Sequence, residues 1–528
     1  MAGSVFSRAA VAAPHAEASE IGFTVLQAGG NALEAMVAMA AMIAVVYPHM
    51  NSIGGDGFWL IREPSGKLRY LEACGFAGAG ATIAAYRAAG HDFIPVRGPL
   101  AALTVPGAVG GWSQALGLSK ALGGRLPLAD LIVPAARRAS EGYPISAAEA
   151  RSQHREPEAL AAAPGFAQAF LAAGERPKAG DKRRAPELGQ TLDRLAHAGL
   201  EDFYRGDVAR ELAADMERLG LAITREDLAK YRAIWREPLT LRLPGVTLAN
   251  SQPPTQGLAS LIILGVFDKL HVRRAESFEH IHGLIEASKR AIAVRDRVCV
   301  DFDRLRDDPA SFLSESALER EASAISMTRA ARFPAAEDAG DTVWMGAIDE
   351  RGLAVSYIQS VFWEYGSGCV LPRTGVHLQN RGTAFSLDPS SANALAPGRR
   401  PFHTLNPALA LYNDGAVMSY GSMGGDGQPQ FQAQVYTRIA FGADLADAIE
   451  RPRFLLGRTW GAPSVSLKLE PRFDTEIVDR LRAAGHDVEL FDSPFVDACG
   501  HAGALRRARD GSIEAAHDPR ADGGAAGF

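Results

Sequence analysis

Cysteine is scarce, with four in 528 residues (Cys74, Cys299, Cys369 and Cys499), and no two form a CxxC pair. That spacing argues against a disulfide framework and a thiolate metal site, and points to reduced thiols in a cytoplasmic protein. Cys499 near His501, and His280 near His282, each supply only two of the four ligands a structural zinc takes. Charge blocks are missing too. The net charge is -6, from 55 basic and 61 acidic residues, and no five like charges run together, so no nucleic-acid footprint or polybasic membrane patch is expected. Long hydrophobic runs are also absent. The longest, Ala35 to Tyr47, stops at Pro48 and falls short of the roughly 20 residues of a membrane span. Met1 to Ala13 has neither the basic start nor the continuous apolar stretch of a secretory signal.

What is present suits a large globular protein: 47% hydrophobic, 22% charged and rich in glycine, with 54 residues. The length allows three or four domain-sized pieces. His15 to Ala28 reads as a helix stopped by Gly29-Gly30. Asn31 and Glu34 then form a capping box for a buried helix. The loop Asn51 to Gly57 (NSIGGDG) leads into a hairpin formed by Phe58–Ile61 and Leu68–Leu71. Residues 108 to 235 look mainly helical, with Thr224 and Asp227 capping a helix toward Tyr231, and Phe278 to Val298 is strongly helical in period. After a polar connector, Arg332 to Gly340, the pattern turns to strands at Thr342–Ile348, Leu353–Phe362, Pro407–Tyr412 and Ala416–Tyr420. There is no internal repeat.

The first of these late hairpins brings hydroxyls together. Pairing Ile348 with Leu353 sets Thr342 opposite Gln359 and beside Ser360, directly after the connector. A threonine that becomes a chain N-terminus is an activated nucleophile, because its own α-amine, with a reference pKa of about 7.7–8.0, can act as general base. The run Gly421 to Gln430 (GSMGGDGQPQ) follows a strand, and Gly424-Gly425 there could turn backbone N–H groups toward an oxyanion. Gln379 to Ser386 places Asn380 and Arg381 in a loop, where Arg381 could hold a carboxylate. Thr104 to Trp112 (TVPGAVGGW) lacks the spacing of a phosphate loop and reads as a packing turn.

In this order, Ser251-to-Gly257, Asp341-Thr342, Asn380-Arg381-Gly382, Arg400-Pro401 and Ser422-to-Gly425 resemble the γ-glutamyltransferase family. The likeness extends to His15–Ala35, Gly54-Gly55, the VPGAVGGW turn and Asp518-Pro519-Arg520, almost the whole chain. It implies a four-layer αββα sandwich of the N-terminal-nucleophile hydrolase type, an α+β fold. It also implies self-cleavage between Asp341 and Thr342, giving a large piece, 1–341, and a small piece, 342–528, interwoven in one domain. The two pieces would pair as a heterodimer, with a further dimer of heterodimers left open. By the same resemblance Thr342 is the nucleophile, Ser360 its hydrogen-bonding hydroxyl in place of the family's second Thr, and Gly424 and Gly425 the oxyanion-hole glycines. No motif for a metal or organic cofactor is present, and the reaction needs none.

Departures from the family pattern bear on the substrate. Cys74 stands where the resemblance implies an arginine for the α-carboxylate of a γ-glutamyl donor, and Ala384 where it implies an acid for the α-ammonium. His403-Thr404 replace the paired serines after Arg-Pro, and Arg381 stands where the family often has Gln. Each lost charge-assisted hydrogen bond is worth about 1.5–3 kcal/mol, which disfavours glutathione. With Ile358–Gly368, these segments look like the oxamate amidohydrolase-like subgroup. They imply a small carboxylate-bearing amide anchored by Asn380, Arg381, His403 and Thr404, in a pocket narrowed by Phe362, Trp363 and Tyr365. A γ-glutamyl hydrolase or transpeptidase, a cephalosporin-acylase-like amidase and an uncleaved binding protein are the alternatives. Asp388 to Arg400 reads equally as a lid and as a surface loop.

Overall fold

The computed structural model describes residues 3–152, 157–333, 341–458 and 464–528. Two seven-stranded sheets lie face to face, each wholly antiparallel. In spatial order the first runs Gly524–Gly527, Ala10–Ala13, Asp341–Ile348, Ala354–Phe362, Asp56–Arg62, Leu68–Ala73, Ile234–Arg236. The second runs Ser4–Phe6, Ile513–His517, Ala502–Arg507, Val417–Ser422, Ala408–Tyr412, Val246–Asn250, Leu239–Leu243.

Strand periodicity divides the side chains between layers. On the central strand, Val343, Met345 and Ala347 face the helices, whereas Trp344 and Ile348 join Phe58, Ile358, Leu409 and Leu505 between the sheets. Ala32–Val46, buried at every position, backs the first sheet with Ala16–Gln27, Ala108–Ala121, Leu128–Glu141 and Pro186–Ala198. Gly257–Lys269, Phe278–Val298 and Gln428–Ala440 back the second. The result is the expected αββα sandwich.

Several local expectations hold. Asn31 and Glu34 make a complete capping box, as do Thr224 and Asp227, and the long helix runs Phe278–Val298. Thr104–Trp112 is a packing turn: a Cβ at Gly107 would lie 2.3 Å from the Ala73 carbonyl, so only glycine lets this helix start sit against the sheet. All four cysteines are buried and free. Among the described residues no helix is long and apolar enough to cross a membrane. Most of the connector, residues 334–340, and the Asp341 side chain lie outside the described residues. Phe333, just before them, packs on Ile292 and Leu456.

The Thr342 hairpin differs from expectation by one residue. Ile348 pairs with Ala354, not Leu353, because the Asp349 amide donates to Leu353 O (3.1 Å) and Gly352, at φ 80°, turns the chain. The Asp349 carboxylate fixes this turn by accepting from the Arg351, Leu353 and Ala32 amides. A one-residue slip exchanges faces. Gln359 therefore points to the helices, bonding Asn51 and Trp112, and Ser360 takes the inter-sheet face.

Candidate active site

Thr342 sits at the start of the central strand, fully buried, at a register irregularity between Asp341 and Val343. Two side chains reach its hydroxyl. Thr342 Oγ1 donates to Ser360 Oγ at 3.4 Å, and Gln428 Nε2 donates to Thr342 Oγ1 at 3.3 Å. The Phe362 amide fixes the Ser360 oxygen from 2.8 Å. Gln428 is the first residue of the helix Gln428–Ala440, so the glycine loop before it ends at Thr342. The sequence reading included Gln428 in the glycine run but gave it no role.

That loop is braced from behind. Gly424 and Gly425 adopt φ 120° and 50°, conformations that L side chains rarely take. Gln256 Nε2 donates to the Gly425 and Thr404 carbonyls, at 2.8 and 2.7 Å. Arg295, on the long helix, donates to Gln256 Oε1 (2.9 Å) and to Asp426 (2.7 Å). The Ser251–Gly257 turn therefore works through Gln256, joining the glycine loop to the loop that carries His403 and Thr404. His403 is itself pinned to this turn by its amide on Pro254 O (2.9 Å).

Arg381, His403 and Thr404 come together; Asn380 does not join them as a binding group. The buried Arg381 guanidinium donates to Thr404 Oγ1 from both terminal nitrogens (3.4 Å each) and lies 3.8 Å over the Phe362 ring. Phe362, at φ 81°, is thus the floor of the cation's site, whereas Tyr365 points away to Phe166, Phe170 and Glu149. The Asn380 amide is spent on the scaffold: Nδ2 donates to Val96 O (2.9 Å) and Oδ1 accepts from the Trp363 amide (3.1 Å). Arg400 is drawn off to Glu72 (3.3 Å) and Arg399 to the Ala394 carbonyl (2.7 Å). Asp388–Arg400 is fastened at both ends, by Leu395 on Ser386 O and Gly398 on Ala77 O, with Leu387 and Leu395 in a small core beside Leu103.

One acid that sequence reasoning missed lies here. Asp56 is the register partner of Ser360 and its carboxylate accepts from the Gly75 amide (3.0 Å). Burial pushes its pKa up to about 7, against the pull of Gln379, Gly75, Arg381 and Gly107. Burial, reinforced by Arg381 and Arg400, pushes His403 well below the usual histidine range, so its ring is neutral. Cys74 is raised well above a thiol's ordinary value by burial, Glu72 and Asp56, so it remains a thiol. The signal for Asp56 was an acid inside a glycine loop.

A buried threonine at a strand start, flanked by a hydroxyl, an amide and a glycine loop, is suited to acyl transfer. A family model described as Gamma-glutamyltranspeptidase matches residues 18–528. The chain belongs to the γ-glutamyltranspeptidase family. Members named among its relatives are amidohydrolases and transpeptidases, and this chain is an enzyme of that kind. It is 52% identical over 518 residues to the oxamate amidohydrolase proenzyme of Klebsiella pneumoniae, covering 98% of each chain. It is 35% identical over 522 residues to the glutathione hydrolase-like YwrD proenzyme of Bacillus subtilis, again covering 98% of each. Among solved structures, cephalosporin acylase from Bacillus halodurans superposes with a TM-score of 0.90 at 30% identity, covering 100% of this chain and 97% of the other. Family membership and this superposition agree with the N-terminal-nucleophile hydrolase fold.

Proposed function

We propose that this protein is a self-processing threonine amidohydrolase that cleaves a small carboxylate-bearing amide of the oxamate type. The observation that carries the reading is the buried Arg381 cation bonded to Thr404 beside His403, with no γ-glutamyl anchor at Cys74 or Ala384. The relative at 52% identity, named oxamate amidohydrolase proenzyme, supports it.

Maturation starts when Thr342 Oγ attacks the Asp341 carbonyl carbon. The Asp341–Thr342 C–N bond breaks as an ester forms, and water then hydrolyses that ester, leaving fragments 1–341 and 342–528. The freed α-amine of Thr342 is the general base of turnover. It takes the hydroxyl proton as Oγ attacks the substrate amide carbonyl, while Ser360 and Gln428 orient Oγ and the Gly424-Gly425 loop receives the oxyanion. The ammonium then gives its proton to the departing nitrogen, and ammonia leaves. Water, deprotonated by the same amine, attacks the acyl ester; its C–O bond breaks, Oγ recovers the proton and the dicarboxylate is released. The fragments stay together as a heterodimer.

A substrate comparison tests this. Purified, cleaved enzyme is expected to release ammonia from oxamate with kcat/KM at least about tenfold above that for γ-glutamyl-p-nitroanilide, the smallest loss expected from removing one charge-assisted anchor. Ready cleavage of the γ-glutamyl compound without ammonia from oxamate would overturn the reading.

A further inference from the structure

Asp56 has no part in the acyl transfer just described, yet it stands beside Ser360 in the same site. It is 1% exposed and stands in register beside Ser360. Alternation carries Asp56, Phe58 and Leu60 to the inter-sheet face, where Thr342 and Ser360 also point. Thr342, Ser360 and Asp56 thus form a row across three neighbouring strands. Oδ1 is held by the Gly75 amide; the Gln379 side chain and the Gly107 amide also approach the carboxylate, yet Oδ2 has no hydrogen-bond partner in good geometry among the described residues. Nor has either ring nitrogen of His403, whose Nε2 lies 3.7 Å from Oδ2.

Two buried groups left unsatisfied face to face cost free energy that a bound polar group recovers. The site's charges indicate which group. Arg381 faces Asp56 from the substrate loop and attracts an anion. His403 faces it as a neutral ring, and Cys74, Tyr204, Tyr231 and Tyr357 surround it as neutral thiol and phenols. Glu72, on the adjacent strand, is paired with Arg236 and Arg400. An ionised Asp56 would repel a substrate carboxylate bound at Arg381, whereas a neutral carboxyl would donate a hydrogen bond to it.

We infer that Asp56 determines specificity in the acyl pocket: it enters the substrate complex as a neutral acid, donates its O–H to the substrate carboxylate, and couples binding of a small anion to uptake of one proton from solvent. The inference rests on the substrate class proposed above. Its pH window follows from the position near 7: above it the free enzyme must take up a proton to bind the anion, and below it the proton is already in place.

Oxalate is the probe. Titration calorimetry of the mature wild-type enzyme at pH 7.5–8.5, in buffers of different ionisation enthalpy, is expected to register uptake of about one proton per oxalate bound. KM for oxamate is expected to rise by up to about tenfold per pH unit above pH 7 in the wild type and to stay flat in Asp56→Asn, with kcat keeping its own pH profile. Oxalate binding without proton uptake, no oxalate binding at all, or the same KM slope in both proteins would overturn the inference. The Thr342 α-amine titrates in the same range, so uptake belongs to Asp56 only if it is lost in Asp56→Asn or displaced in pH in Asp56→Glu; uptake unchanged in both would overturn the inference. Proton-coupled oxalate binding without ammonia release from oxamate would remove the substrate reading and leave the role of Asp56 standing. Oxamate turnover with uncoupled oxalate binding would do the reverse.

Discussion

Thr342 meets its neighbours through two long hydrogen bonds, 3.4 Å to Ser360 and 3.3 Å from Gln428, and substitutions around it should separate by role. Thr342→Ala removes the attacking oxygen and is expected to give one uncleaved band on a denaturing gel and no measurable turnover, whereas Thr342→Ser still processes, more slowly. Two fragments from Thr342→Ala would move the nucleophile elsewhere. Gln428→Ala deletes one neutral hydrogen bond, worth about 0.5–1.5 kcal/mol, so kcat should fall roughly two- to tenfold with little change in KM. Arg381→Gln should do the opposite, raising KM for a carboxylate substrate at least about tenfold while the chain still cleaves itself. Steady-state kinetics on purified variants separates the two, and an unchanged KM in Arg381→Gln would assign the anchor to another residue.

At the scale of the element, the strand Asp341–Ile348 is set in place by what packs against its inner face. Trp344 fills the space between the sheets, with Nε1 donating to Ser356 Oγ (2.9 Å), and a Cβ at Gly421 would lie 2.1 Å from its ring. Removing so large a buried ring leaves a cavity, and Trp344→Ala is expected to cost about 3–5 kcal/mol, seen as a lower denaturant midpoint. The glycine loop is equally constrained. A Cβ at Gly424 would meet the Phe431 ring at 2.5 Å, and φ 120° penalises any side chain. Gly424→Ala should therefore cut kcat by about 100-fold or more, the scale of losing an oxyanion donor, and activity near wild type would place the oxyanion site elsewhere.

At the scale of the molecule, both sheets interleave the proposed fragments. Asp341–Ile348 lies between Ala10–Ala13 and its own hairpin partner, Ala354–Phe362 pairs with Asp56–Arg62, and Ala408–Tyr412 pairs with Val246–Asn250. The cleaved fragments should thus co-elute on size exclusion and part only in denaturant. A buried ionic knot near the C-terminus adds a pH signature. Asp518 bonds Arg453 and Arg520, and Glu470 bonds Arg520 and the Arg453 amide. Burial alone would raise both acids, but the arginines hold them below their usual values. Their contribution is present above the unfolded carboxylate range, about 4, and is lost as pH falls through the depressed folded values. The melting temperature should drop below about pH 4, and Asp518→Ala should lower stability by about 3–5 kcal/mol at neutral pH by stranding buried arginines. An acid-insensitive melting temperature would contradict this.

The sequence by itself determined the elements whose signals are local. The Asn31 capping box and the Phe278–Val298 helix follow from neighbours a few residues apart. Motif order along the chain also brought out the family and pointed to Thr342, Ser360, Arg381 and the two glycines as one constellation. Tertiary structure decided whatever depends on register and on long-range partners. The Asp349 turn moved Ser360 onto the face of Thr342, and Gln428 reached the Thr342 hydroxyl from 86 residues away. Asn380, polar and in a candidate substrate loop, proved to be bonded to the scaffold at both ends. Asp56 looked like one more loop acid until strand pairing set it beside Ser360 and burial removed its water. Hydrogen-bond partners and desolvation are properties of packed surfaces, and a linear pattern carries neither.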